Sequence, residues 1–304
     1  MDVIKTSLII AIGVTLYYLL LQWPVTEEIN NTAYAENNSI NTISDSDRLL
    51  SQPLEPLSTL SEPSEETPVE DKNYYEIKND NLSLYIDSKT GRFEISQLNT
   101  ISKSKDSTEP FMVFGPTYDA DSNRENIYFA NSGFYTRTQG YLTPEFSKIS
   151  KESATEEMTT YVLEGSTNGL SFKRKIEMPN EGYKIEVEDM VESSLNEQIS
   201  ITPYVVIERD GSVVAEGGLM YTYLGPVFSS TKDTYEKYDF DDIREATYQN
   251  KSVGGWVALI QHYFLSAWIP DQNDEYLYQG RYGNNSGRYS LGYTSKDFLV
   301  SYGE

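Results

Sequence analysis

The chain has 304 residues, with 24 Lys and Arg against 47 Asp and Glu, a net charge of -23 and no Cys. The acid excess excludes nucleic acid and a broadly anionic lipid surface as partners, because both need clustered cations. The absence of Cys excludes disulfides, thiolate-ligated metals and a thiol nucleophile, while 25 Tyr, many set among alternating apolar positions, favour sheet over helix bundle.

The first element is a membrane helix. Residues 6–26 carry no charge and are bounded by Lys5 and Glu27. As a helix they span roughly 31 Å, against about 30 Å of hydrocarbon. Tyr17, Tyr18 and Trp23 sit towards the far end, where aromatic rings favour the interface, and Pro24 stops the helix. Lys5 on the near side and acid on the far side put the N-terminus in the cytoplasm and the rest across the membrane. The rival is a cleaved signal peptide with Ala33-Tyr34-Ala35 as its cleavage site. That site lies far beyond the apolar run, and the run is long for a signal peptide, so a retained anchor is expected.

Residues 27–73 read as an acidic disordered linker rich in Asn, Ser, Thr, Glu and Pro. A flexible chain of that length spans about 35–40 Å, and like charges extend it. Residues 74–304 read as one β domain. Leu82, Leu84 and Ile86 alternate, Ser88-Lys89-Thr90-Gly91 signals a turn, and Phe93, Ile95 and Leu98 return, which predicts a hairpin. Further strands are predicted at 161–163, 170–173, 183–187, 199–201, 204–207, 256–260, 263–269, 290–293 and 298–300. Many short strands with no intervening helices predict a large antiparallel sandwich. The end at Ser301-Tyr302-Gly303-Glu304 reads as a cut through a longer protein, with a docked terminal strand as the alternative.

Little in the domain carries chemistry. His262 is the only His, against the several that triads and most transition-metal sites use, and it reads as structural. No nucleophile elbow, phosphate-binding loop or zinc-protease motif occurs. Glu236, Asp239, Asp241 and Asp242 form a dense acidic cluster. It reads as a solvated loop, with a glycosidase-like carboxylate pair or a divalent-cation site as the sharper alternatives. Gly254-Gly255-Trp256 predicts a tight turn or close backbone approach leading into a buried strand. Trp256, Tyr263, Phe264 and Trp268 form either a core ladder or a sugar-stacking platform, the first being expected in a sandwich.

Four motifs in order carry a family resemblance: Tyr235-Glu236-Lys237-Tyr238, Gly254-Gly255-Trp256-Val257-Ala258, Gln261-His262-Tyr263-Phe264 and Ala267-Trp268-Ile269-Pro270. They resemble the YidC family of bacterial inner-membrane protein insertases, strongly over residues 235–270 and more weakly over 291–300. The resemblance implies an antiparallel β-supersandwich of the galactose mutarotase-like type, held outside the inner membrane by the N-terminal transmembrane helix. It marks Gly254, Gly255, Trp256, Tyr263, Phe264, Trp268 and Pro270 as family-motif positions of structural importance. It also implies insertion of nascent membrane-protein clients, alone or with the Sec translocon, and contact with SecD-SecF. That contact would fall within residues 201–243, where Lys237 and Tyr238 are the candidates. The family's five-helix insertase region is absent from this sequence, so the portion in hand is expected to be an accessory platform. No enzyme activity, catalytic residue, metal or cofactor is implied, because mutarotases use a His pair and this chain has one His. A carbohydrate-binding envelope module is the alternative function.

Overall fold

The computed structural model describes residues 74–119, 124–211, 223–261 and 263–303. The membrane helix, the linker and His262 predicted above lie outside the described residues. No described helix is long and apolar enough to cross a membrane.

The chain opens as a meander of β1 (Tyr74–Lys78), β2 (Leu82–Asp87) and β3 (Phe93–Ser102), paired antiparallel. The predicted hairpin is present. Asp87 Oδ1 accepts from the Lys89 and Thr90 amides, and the Gly91 amide returns to Asp87 O at 2.8 Å. Gly91 has φ +71°, and a Cβ there would meet the Phe146 ring, so only glycine suits this turn. Next come β4 (Pro110–Phe114), the short pair β5 (Thr117–Asp119) and β6 (Arg124–Asn126), β7 (Tyr128–Thr136) and the two-residue β8 (Gly140–Tyr141).

A four-stranded meander follows: β9 (Glu145–Ala154), β10 (Met158–Thr167), β11 (Leu170–Pro179) and β12 (Glu186–Ser193). β12 begins three residues later than the alternation at Tyr183 suggests. Gly182 takes φ +99° there, and Tyr183 turns out to solvent.

The chain then returns as β13 (Ile199–Asp210), which the sequence presents as two runs broken at Thr202-Pro203. They are one strand. β21 (Phe298–Val300) pairs with residues 199–201 of β13, and β20 (Arg288–Thr294) with residues 204–210 on the same side. Pro203 falls in the gap between those two partners, where no amide donor is required. The last part of the chain adds β14 (Leu224–Ser229), β15 (Glu236–Lys237), the helix α1 (Phe240–Glu245), β16 (Tyr248–Val253), β17 (Trp256–Gln261), β18 (Phe264–Trp268) and β19 (Glu275–Gly283).

Three larger sheets result, beside the two-stranded β5-β6 pair. The largest runs β1-β2-β3-β7-β13-β20-β19-β16, with β4, β8 and β21 added to single strands; the smaller two are β12-β11-β10-β9 and β15-β14-β17-β18. Both small sheets pack on one face of the large one. Phe134 of β7 meets Phe172 of β11 at 5.8 Å between ring centroids, Phe93 of β3 meets Trp268 of β18 at 6.2 Å, and Phe228 of β14 lies against Gly280 of β19. The molecule is therefore a mainly antiparallel β sandwich whose core lies on the inner face of the large sheet.

Two buried cations join the layers. Arg209 of β13 donates to Gln261 Oε1 of β17 at 3.2 Å. Arg174 of β11, 3 % exposed, donates to Gly91 O, to Ser132 O and Oγ on β7, and to both carboxylate oxygens of Asp189 on β12. Every donor direction used meets an acceptor, as a buried guanidinium requires.

Candidate functional site

The Gly254–Pro270 segment forms a corner that fastens the β15-β14-β17-β18 sheet to the large sheet. Gly254 and Gly255 take φ +63° and +95° between β16 and β17. A Cβ on Gly255 would lie 2.2 Å from Ser229 O, a backbone atom of the neighbouring strand β14. The close approach read from the two glycines is therefore real, and its partner is a strand of the same sheet. Gln272 completes the corner: its Oε1 accepts from the Gly255 amide at 3.1 Å, and its Nε2 donates to Gly255 O at 3.1 Å and Pro270 O at 2.7 Å. The buried Tyr278 of β19 donates its hydroxyl to Gly254 O at 2.8 Å. Neither Gln272 nor Tyr278 was singled out from sequence, because a Gln in a turn and one Tyr among 25 carry no periodic signal.

The two tryptophans part company. Val257 is directly opposite Trp268, and Ala258 opposite Ala267. Cross-strand partners share a face, and neighbours along a strand do not. Trp268 therefore points inward with Val257 and Leu259, and its Nε1 donates to Val206 O of β13 at 3.1 Å. Trp256 points outward, 6.1 Å from the Tyr235 ring. Phe264 also points inward, 4.3 Å from Phe111. Tyr263 precedes it in the turn and is 85 % exposed. A joint sugar-stacking platform of Trp256 and Trp268 is thus ruled out by strand parity, and Trp268 and Phe264 are core-facing residues.

Lys237 and Tyr238 also diverge. Lys237 is exposed, with Nζ 4.6 Å from the Tyr223 ring centroid and 5.5 Å from that of Tyr235. Tyr238 turns inward against Phe228 and Tyr248, and donates its hydroxyl to Glu236 Oε1 at 2.5 Å. Burial, and then the bond to Glu236, push this phenol well above the usual tyrosine range. The Tyr248 hydroxyl reaches the other oxygen of Glu236 at 3.3 Å.

These contacts resolve the acidic cluster. Glu236 accepts from two phenols, Asp239 is the N-cap of α1, and Asp242 accepts from the Asp239 amide at 2.8 Å. Asp241 pairs with Arg244 one turn on. The acids thus start a six-residue helix whose Ile243 is buried, and they satisfy its first amides. Among the described residues no group of three acids or His is placed to hold a metal ion. The solvated-loop reading missed the helix.

The family model that matches is that of the YidC periplasmic domain, over residues 74–304. A membrane protein insertase YidC of Shewanella loihica is 27 % identical, the match covering 67 % of this chain and 38 % of that protein. The protein of the same name in Pseudomonas fluorescens is 25 % identical, covering 100 % of this chain and 56 % of its own length. The chain thus spans about half the length of the curated relatives it matches. Among solved structures, a GH36 alpha-galactosidase of Geobacillus stearothermophilus is similar with TM-score 0.48 and 8 % identity, over 76 % of this chain and 39 % of that one. A galactose mutarotase related enzyme of Lactobacillus acidophilus is similar with TM-score 0.41 and 8 % identity, over 76 % and 94 %.

Proposed function

The chain belongs to the YidC family, and from that premise we propose that it is the N-terminal part of an inner-membrane protein insertase, serving as an accessory periplasmic platform. The observation that carries the reading is the family match across residues 74–304, together with curated insertases aligned over the whole chain. In this reading residues 6–26 are a retained transmembrane helix with a cytoplasmic N-terminus. Residues 27–73 are the acidic tether, and nascent membrane proteins are the clients of the complete insertase. SecD-SecF and the Sec translocon are the partners, and the exposed Lys237 lies on their contact surface. Tyr238, turned into the core, supports that surface without touching the partner.

Deleting residues 74–304 from the full-length insertase tests this. Client insertion, followed by protease protection, is expected to persist, while co-purification of SecD-SecF is expected to fall. Loss of insertion with undiminished SecD-SecF association would refute the platform reading. Lys237→Glu is expected to weaken that association in the intact protein. Sequencing the mature N-terminus separately tests the anchor, since a start at Glu36 would show cleavage.

A further inference from the structure

The β15-β14-β17-β18 sheet has an outer face, turned away from the large sheet, and one end of it is open and apolar. Strand register puts Lys237, Val227, Ala258 and Ala267 on this face, with Ile260 directly opposite Leu265. The middle is closed, since Val227 and Ala258 are fully buried. The β17-β18 end is not. Leu265 is 56 % exposed, Ile269, of the same parity just past β18, is 63 % exposed, and Tyr263 stands out at the turn of the hairpin. Leu265 and Ile269 lie about 13 Å apart by the rise of a strand. Trp256 and the exposed Tyr235 border the patch.

Single exposed apolar side chains are ordinary, whereas a contiguous group of them marks an interaction site. This group lies on the terminal strand of its sheet, and β18 carries none of the charged side chains that keep other surfaces off such a strand. The chain has a net charge of -23, yet Lys237 is the one charged side chain that register places on this face among the described residues. Acid returns only at the rim, with Asp271 and Asp274 beyond Pro270.

Composition and tether together choose the occupant. A second copy is disfavoured, because two strongly acidic chains brought together through one patch repel. A bilayer surface fits. Tyr and Trp rings favour the interfacial zone of a membrane, and Leu and Ile side chains reach the acyl boundary beneath it. Residues 6–26 read as an anchor and residues 27–73 as a flexible chain of about 35–40 Å. Such a tether makes docking intramolecular, at an effective concentration of about millimolar, so a few side chains are enough. We propose that Tyr263, Leu265 and Ile269 dock the domain onto the bilayer that anchors it, among zwitterionic headgroups. The acidic rim opposes an anionic leaflet, so anionic lipid weakens the docking. Lys237 stands three strands away, about 14 Å, and stays free for the partner surface. The proposal rests on the anchor reading and deepens it.

The chain has no Cys, so one introduced Cys carries one label. The test reconstitutes the full chain into phosphatidylcholine vesicles with an environment-sensitive fluorophore on Leu265→Cys or, as control, on Tyr183→Cys, an exposed position before β12. Emission from position 265 is expected to shift to shorter wavelength. A headgroup nitroxide lipid is expected to quench it several-fold more than emission from position 183. Tyr263→Asp with Ile269→Asp is expected to bring the two positions level, and adding phosphatidylglycerol to weaken the quenching at 265. If the Asp pair unfolds the domain, Tyr263→Ser with Ile269→Ser carries the same expectation. Equal quenching at both positions, or quenching at 265 that survives the folded double variant, would overturn the docking. A wavelength shift that grows with protein density and comes without quenching would overturn it too, in favour of a second copy. Flotation of the chain with the vesicles reports the anchor separately. A floating chain with equal quenching loses the docking alone, whereas a chain that does not float loses the anchor and the docking with it.

Discussion

Gly255→Ala separates two reasons for a glycine, because the fold supplies a matched control. Gly255 has φ +95°, and a Cβ there lies 2.2 Å from Ser229 O and 3.2 Å from the Tyr278 hydroxyl. Gly182 has φ +99° with nothing within 4 Å of its Cβ position. Both substitutions incur the left-handed strain of an L residue, about 1–2 kcal/mol. Only Gly255→Ala must also push a β14 carbonyl aside, at about 1–3 kcal/mol for overpacking. That displacement disturbs the Gln272 and Tyr278 hydrogen bonds, at about 1 kcal/mol each. The expected loss is roughly 4–7 kcal/mol for Gly255→Ala and roughly 1–2 kcal/mol for Gly182→Ala. Urea unfolding followed by circular dichroism measures both. Equal losses would show that backbone strain alone accounts for Gly255 and that the close approach to Ser229 is not rigid.

Arg174→Met leaves Asp189 without its buried partner and is expected to cost about 3–5 kcal/mol in urea unfolding. Much of that loss should return in the double variant Arg174→Met with Asp189→Leu. Trp268→Phe removes the bond to Val206 O and is expected to cost about 1–2 kcal/mol in the same assay. Trp256→Phe, on the outward face, is expected to stay within about 0.5 kcal/mol of the parent. Alkali should unfold the domain, because burial holds Tyr128 up to about 12 and, as its largest cause, Tyr248 up to about 12 as well. Both pKa values are raised on folding, so their contribution is intact below about pH 10 and is lost as pH rises through about 12, near 3 kcal/mol from Tyr128 alone. Thermal melts at several pH values, with tyrosinate absorbance as the second readout, check the sign.

The sequence made the hairpin at Gly91 and the strands at 161–163, 170–173, 256–260 and 290–293 legible, because alternation and turn residues agree there. It obscured β19, whose inward positions are Tyr276, Tyr278, Gly280 and Tyr282. Gly280 interrupts the apolar repeat because Phe228 fills the space its side chain would occupy. β14 was equally hidden, because Gly225 and Pro226 interrupt its apolar run; Gly225 makes room for the Tyr223 hydroxyl. The α1 helix was missed because its signal is entirely polar. Asp239, Asp241 and Asp242 are capping residues for six residues that bury one side chain.

The inward half of the motif that carries the family resemblance is thereby separated from any surface the domain could use. Gly254 and Gly255 are held by Gln272, Tyr278 and the close contact with Ser229, while Phe264 and Trp268 face the large sheet. Those side chains are occupied in holding two sheets together, so changing them alters stability before it alters recognition. Functional tests therefore gain most from positions that this packing leaves free. Lys237 stands exposed between two tyrosine rings. Lys237→Glu is expected to weaken partner association while leaving the free energy of urea unfolding within about 0.5 kcal/mol of the parent. Substitutions at Gly255 or Trp268 are expected to lower stability and association together, because the packing of the small sheet on the large one depends on them.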